Sequence, residues 1–429
     1  MKNIIQEANF RTERIPLSEF LKIFKQFHKQ SFEELIKWIV KIAKKRNLFL
    51  YFAGGAVRDY YLNFPTYDLD LVVEGDLFSF LEELLKVCQG KILFKSQFLT
   101  AKVEFLVGEE KLYVDFITAR KEKYPGIAKL PMVYPATFLE DIKRRDFTIN
   151  SMIYGITPPF EEIVIDVFNG KKDLEERIIK PLKENSFVED PTRAFRGIRY
   201  KVRFGFNYHN LFFKALELAF KNKAFSLLSP QRLANELISF LEKEPSSNLF
   251  FLLNETLELN IFQESGLDID AQTLKKVSKF FNGFFNEFSK KQRKKAFLLC
   301  LSGKDLENGI KLGFTEKELK KYRNAITNVS SRIKEVSSEY EKLLYLEKLP
   351  KEVLPFLAVA KGLEKEVALF LTKYLKTKLF ISGEDLKSLG VYEGKKIGEI
   401  LKLVKKETFE GKITNKEQAL LFVKSLLKK

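Results

Sequence analysis

The sequence predicts an α+β protein: a small sheet with helices near the N-terminus, followed by an all-helical remainder. Three observations predict it. Short β-rich apolar runs crowd between Leu48 and Phe116. One amphipathic stretch, Asp76–Val87, interrupts them as a helix. Beyond Arg145 strand signals fade, apart from Ile163–Val167, and from Asp190 the chain is almost wholly helical in pattern.

Taken in order, residues 1–46 read as helical. There Ser31-Phe32-Glu33-Glu34 resembles a capping box, and Leu35, Ile36, Ile39, Val40 and Ile42 follow near helical spacing. The predicted strands are Leu48–Ala53, Leu69–Val73, Lys91–Phe94, Ala101–Val107 and Lys111–Phe116. The helical remainder breaks at Ser229-Pro230, Glu244-Pro245, Gly303, Pro350 and Ser382-Gly383, and Thr315-Glu316-Lys317-Glu318 opens one helix with a capping box. At roughly 100–200 residues per domain, 429 residues make two to four domains.

Charge narrows the function. Lys and Arg number 74 against 57 Asp and Glu, a net +17, and such a field favours polyanions: nucleic acid first, an anionic membrane surface second. Two histidines, His28 and His209, exclude a His-rich metal site, and Cys88 and Cys300 match neither a zinc spacing nor a disulfide framework. The cysteines read as buried apolar residues in a reducing compartment. No apolar run approaches the ~18–20 residues of a membrane span, and the polar Met1–Glu7 is no secretory signal. The expected location is the cytoplasm.

Four clusters carry chemistry. Gly54-Gly55-Ala56-Val57-Arg58-Asp59 follows a strand directly. Adjacent glycines let backbone N–H groups approach an anion, and Arg58 lies one turn into the helix, within reach of a phosphate. Asp68-Leu69-Asp70 opens an apolar strand with two carboxylates on one side of the sheet, a repulsive arrangement that a hard divalent cation such as Mg²⁺ relieves. Asp115, on a second acidic strand, is a candidate third carboxylate for two-metal displacement at phosphorus. In Arg144-Arg145-Asp146-Phe147-Thr148-Ile149-Asn150 the arginines suit bidentate phosphate binding, while Asp146 and Asn150, one turn apart, suit ribose hydroxyls. The plainer reading is a solvated basic pair at a helix N-terminus. In Glu189-Asp190-Pro191-Thr192-Arg193, Asp190 can cap a helix with Pro191 in its first turn. Arg193, Arg196 and Arg199 then form a stripe facing one groove, backed by Ala194, Phe195 and Ile198.

In order and spacing these clusters resemble the bacterial-type (class II) tRNA nucleotidyltransferase and poly(A) polymerase family, from about Tyr51 to Phe240. The resemblance implies a polymerase-β-like nucleotidyltransferase head followed by an all-helical neck, body and tail. The chain then divides into a helical extension (1–46), head (47–150), neck (151–240), body (241–330) and tRNA-binding tail (331–429). It implies template-independent addition of C and/or A to the 3′ end of tRNA from CTP and ATP with Mg²⁺. Asp68 and Asp70 would be metal ligands, with Asp115 as helper. Gly54, Gly55, Arg58, Arg144, Arg145, Asp146, Asn150, Glu189, Asp190, Arg193, Arg196 and Arg199 would bind the nucleotide, Asp190 and Arg193 reading the base.

Other segments extend the likeness. Asp166–Asp173 looks like a hinge motif, Ser229–Glu236 like a neck-supporting motif, and the glycine-interrupted Ser382–Lys416 like a tRNA-gripping end. Gln231 stands where Glu is usual, Asn169-Gly170 replaces Gly-Gly, and Lys180 stands where Arg is expected. The segment Thr118–Gly126 resembles the family's flexible loop, which helps decide between CC, A and full CCA addition. The alternatives within the enzyme class are therefore a CC-adding or A-adding enzyme or a poly(A) polymerase; outside it, a non-catalytic RNA-binding protein.

Overall fold

The computed structural model describes residues 10–24, 30–66 and 69–427. The strands of the first half are β1 (Arg11–Arg14), β2 (Phe49–Ala53), β3 (Asp70–Glu74), β4 (Gly90–Ser96), β5 (Thr100–Val107), β6 (Glu110–Thr118), β7 (Arg120–Lys123), β8 (Met132–Pro135), β9 (Ile153–Gly155) and β10 (Ile163–Asp166). Eight of them form one sheet in the order β1-β10-β9-β2-β3-β6-β5-β4, while β7 and β8 make a separate antiparallel pair. The sequence predicts β2 to β6 to within a few residues. All five residues of β2 are buried because it sits mid-sheet, which explains its unbroken apolar run.

Helix α1 (Gln30–Lys45) covers the sheet beside α2 (Gly55–Tyr61) and α3 (Leu77–Val87). The Asp76 carboxylate caps α3 by accepting from the Phe78 and Ser79 amides. A three-element excursion, α3 and then the β4–β5 pair, lets β3 and β6 run parallel. The core on one face joins Phe49, Tyr51, Val72, Ile142, Ile153 and Ile165. On the other, Phe20 stacks on Tyr154 at 4.1 Å between ring centres.

The structure departs from the sequence reading in three places here. Arg11–Arg14 is an edge strand paired antiparallel with β10, not helix. All four of its residues are exposed, so it has no apolar alternation to read. Ser31 is not the cap of α1, since the helix already includes Gln30; its hydroxyl meets the Glu110 carboxylate instead. The segment resembling a flexible loop contributes β7 of the β7–β8 hairpin.

Next come α4 (Phe138–Lys143), α5 (Gly170–Glu175), α6 (Ser186–Glu189), α7 (Thr192–Phe204), α8 (Asn210–Lys221) and α9 (Pro230–Lys243), with a two-strand parallel pair of β11 (Ile178–Ile179) and β12 (Asn207–Tyr208). Asp166 caps α5 through the Gly170 and Lys171 amides at 2.8 and 3.0 Å. Asn169 before it has φ 60° and ψ 36°, a left-handed conformation that Asn tolerates, so Asn in place of Gly is accommodated there.

Contacts divide the chain into two compact units, Met1–Leu228 and Ser229–Lys429. Among its described residues the second unit contains helices and no strands. The predicted box closes at Thr315 with Glu318, and a second, not expected from the sequence, closes at the Ser382-Gly383 break, Ser382 with Asp385. Its C-terminal helices close over Ile381, Leu386, Val391, Ile400, Val404 and Val423.

Candidate active site

The glycine turn follows β2 directly. Gly54 has φ 64° and ψ −109°, outside the range an L side chain readily adopts. A Cβ there would stand 2.8 Å from Arg145 Nη1, so this guanidinium lies against the turn. Arg58 is buried rather than projecting outward. Its Nε donates to Asp59 Oδ1 and its Nη1 to Asn150 Oδ1, each at 2.8 Å. The guanidinium carbon lies 5.0 and 5.1 Å from the Tyr200 and Phe204 ring centres.

Arg144 and Arg145 occupy the C-terminal end of α4, not a helix N-terminus, and they are not solvated. The carboxylate that holds them is Asp141, with no exposed surface. Its Oδ1 accepts from Arg144 Nε and Nη2 at 2.9 and 2.7 Å, and its Oδ2 accepts from Arg145 Nη2 at 2.7 Å. Burial alone would raise the Asp141 carboxyl; the two guanidinium charges and their hydrogen bonds outweigh it and lower it.

Asp146 and Asn150 join the turn to α7. Asn150 Nδ2 donates to Asp146 Oδ1 at 3.0 Å, and Arg196 Nε donates to Asp146 Oδ2 at 2.6 Å. One chain of polar contacts therefore runs Arg58–Asn150–Asp146–Arg196. Burial pushes the Asp146 carboxyl up, but Arg196 and the Asn150 amide bring it down to about 2.

Helix α7 holds the arginine stripe. Asp190 Oδ1 accepts from the Thr192 amide at 3.0 Å and its hydroxyl at 2.6 Å, the capping role its position predicts. Glu189 pairs with Lys183 at 2.6 Å and comes within 3.7 Å of Arg193 Nη1. Arg193 is buried: Nη1 donates to Ser186 Oγ, and Nη2 donates to the Tyr124 hydroxyl and the Arg144 carbonyl, all at 3.0 Å. Arg199 is buried as well, so of the stripe only Arg196 is substantially exposed. Gly197 allows this packing, because a Cβ there would lie 2.6 Å from the Phe212 ring and 3.0 Å from Phe147.

The acidic strands meet as expected from their pattern. Asp70 and Asp115 are register partners on the parallel neighbours β3 and β6. Lys102 on β5 pairs with Asp115 at 3.2 Å. Asp68 lies outside the described residues, and among those described no three His, Cys, Asp or Glu side chains form a metal cluster.

Sequence reasoning missed Asp141, Glu122 and Tyr124. Asp141 carried a signal: it precedes Arg144 and Arg145 by three and four residues, the helical ion-pair spacing. Glu122 and Tyr124 lie in the Thr118–Gly126 segment but carried no signal of their own, since only the β7–β8 fold brings them there. Glu122 Oε1 accepts from Arg144 Nη1 at 3.0 Å and from Arg120 Nη2 at 3.2 Å. The Tyr124 hydroxyl donates to Glu122 Oε2 at 2.8 Å.

A glycine turn, neighbouring acidic strands and a buried arginine helix are the parts of a nucleotidyltransferase, and residues 50–180 match the family model of the poly A polymerase head domain. The chain is 30% identical to the A-adding tRNA nucleotidyltransferase of Halalkalibacterium halodurans, over 91% of this chain and 92% of that one. It is also 30% identical to the A-adding enzyme of Aquifex aeolicus, over 83% of this chain but 44% of that longer protein. A solved CCA-adding enzyme in an apo form superimposes with a TM-score of 0.73 at 25% identity, covering 97% of this chain and 99% of that one. The chain belongs to the tRNA nucleotidyltransferase and poly(A) polymerase family. Among the described residues no helix is long and apolar enough to cross a membrane.

Proposed function

We propose that this protein transfers nucleotidyl units from CTP and/or ATP to the 3′ hydroxyl of tRNA without a nucleic-acid template. The observation that carries it is the Arg58–Asn150–Asp146–Arg196 chain, which ties the glycine turn, the second motif and α7 into one preset site. In this reading Arg145, against the Gly54 turn, binds the triphosphate. Arg193 and Asp190, each fixed by protein partners, present a rigid edge to the base. Glu189 and Arg199 support that helix. Rate enhancement comes chiefly from positioning and charge stabilisation, since phosphoryl transfer asks little else of a protein.

The donor chemistry suits a hard divalent cation: Asp70 stands beside Asp115 on adjacent strands, and both offer only oxygen. Asp68 and Asp70 would hold Mg²⁺, with Asp115 alongside. When bound, the ion supplies charge neutralisation at the triphosphate and activation of the attacking hydroxyl. We assign residues 1–46 to an extension, 47–150 to the head, 151–240 to the neck, 241–330 to the body and 331–429 to the tail. Most of the +17 charge would then follow the tRNA backbone, and the site of action is the cytoplasm.

Addition of A alone is the favoured specificity, because the relatives from H. halodurans and A. aeolicus are both named A-adding. Three tRNA transcripts, ending before C, after C and after CC, each incubated with CTP or ATP, decide the matter. The expected result is a single A on the third and nothing on the others. C addition to the first would exclude the A-only reading, and long A tails on unrelated RNA would point to a poly(A) polymerase. No labelled nucleotide on any transcript would leave a binding protein.

A further inference from the structure

Behind the site lies a ring of partly buried polar groups, of which Asp141, Glu122 and Tyr124 have no part in the proposed chemistry. Asp141 saturates both oxygens with the adjacent guanidiniums of Arg144 and Arg145. The remaining Arg144 Nη1 turns to Glu122, Glu122 to the Tyr124 hydroxyl, and that hydroxyl to Arg193 Nη2. The same Arg193 nitrogen donates to the Arg144 carbonyl, which closes the ring.

We propose that Asp141, with Glu122 beside it, is a positioning residue that aims Arg145 at the Gly54 turn and sets Arg144 beneath Arg193. This rests on the reading of Arg145 and Arg193 as nucleotide contacts. Two neighbouring guanidiniums repel each other and, unrestrained, would swing apart toward water. A carboxylate that grips one through two nitrogens and the other through a third fixes both planes, because the fork geometry is rigid. Arg145 is thereby left with Nη1 at the glycine turn, 3.5 Å from the Asn150 carbonyl. Arg144 donates all its side-chain contacts to Asp141 and Glu122, so its contribution reaches the site through its carbonyl. Neither carboxylate touches a nucleotide in this scheme, and each acts through an arginine.

Two effects of removing the Asp141 charge oppose each other. Lost aim weakens nucleotide binding, whereas one more uncompensated positive charge strengthens attraction for a triphosphate. Aim prevails if Asp141 is a positioning residue, because a displaced fork loses paired hydrogen bonds and not only a screened charge.

The test is calorimetric titration of the full chain with ATP, run beside extension of a tRNA transcript ending in CC. Asp141→Asn should weaken ATP affinity about tenfold at unchanged stoichiometry, and the double variant with Arg145→Lys should bind no more weakly than Arg145→Lys alone. A purely structural role would lower the stoichiometry and leave affinity intact, and that result overturns the proposal, as does tighter binding or additivity. Should Asp141→Asn not fold, Glu122→Gln carries the same readout, with affinity about threefold weaker expected and unchanged affinity overturning the idea. A wild-type chain that binds ATP but extends no transcript would remove the proposed function and leave this inference to the titration. A wild-type chain that binds no ATP would remove both.

Discussion

Asp146 receives the Arg196 guanidinium at 2.6 Å, and this one ion pair fastens helix α7 to the segment that follows Arg145. Asp146 is buried, so burial opposes its charge, and the guanidinium and the Asn150 amide nevertheless hold its carboxyl at about 2. The folded value lies below the unfolded one. The pair's stabilisation is therefore complete above about pH 4 and is lost as pH falls toward 2. Asp146→Asn should cost about 2 kcal/mol at pH 7, and the gap to the wild type should narrow as pH falls through that window. Denaturant unfolding of both proteins at pH 7 and at pH 3 checks the sign.

Gly54→Ala places a Cβ 2.8 Å from Arg145 Nη1 on a backbone at φ 64°. The backbone conformation alone should cost about 1 kcal/mol, and Arg145 must move aside. The expected outcome is a KM for ATP raised by an order of magnitude with a smaller change in unfolding midpoint, read from initial rates and a thermal scan. An unchanged KM would separate Arg145 from the nucleotide.

Asp70→Asn keeps the volume of the side chain beside Asp115 and removes its charge. If the carboxylates hold a cation, the loss is several kcal/mol of transition-state stabilisation, roughly a 10³-fold fall in kcat. Binding of tRNA, measured by gel shift at constant salt, should stay within about twofold, because its contacts are to phosphates elsewhere. Near-normal incorporation of labelled nucleotide by this variant would contradict the assignment.

Gly197→Val drives a branched side chain into the Phe212 and Phe147 rings, which already stack at 6.3 Å between centres. Overpacking of this kind costs about 1–3 kcal/mol. The unfolding midpoint should drop by several degrees, and both ATP and tRNA activities should fall together, since α7 carries Arg193 and Arg196.

Much of the arrangement was readable along the chain. The strands from Phe49 to Thr118 follow from apolar runs cut by turn residues, and the cap at Thr315 follows from a side chain that satisfies helix amides within three residues. Arg11–Arg14 and the β7–β8 hairpin were not readable. Arg11–Arg14 and β7 are polar, β8 is only four residues long, and each gains its strand conformation from a partner, Arg11 opposite Asp166 and Arg120 opposite Pro135. The arginine stripe of α7 reads from the sequence as facing one groove; that Arg193 and Arg199 are buried there depends on tertiary packing, for Arg193 on Ser186 and Tyr124, which no local pattern announces.

The sequence by itself determined the order of the motifs, the fold class and the kind of side chain available for each task, because spacing and helix caps are local properties. Tertiary structure decided which of those side chains face one another. Arg58 meets Asn150 across 92 residues and Arg196 meets Asp146 across 50, pairings set by sheet order and helix packing. The surplus positive charge is legible in the composition, but the direction of its buried arginines is set by Asp141 and Glu122, because a guanidinium out of water must point where its carboxylate stands.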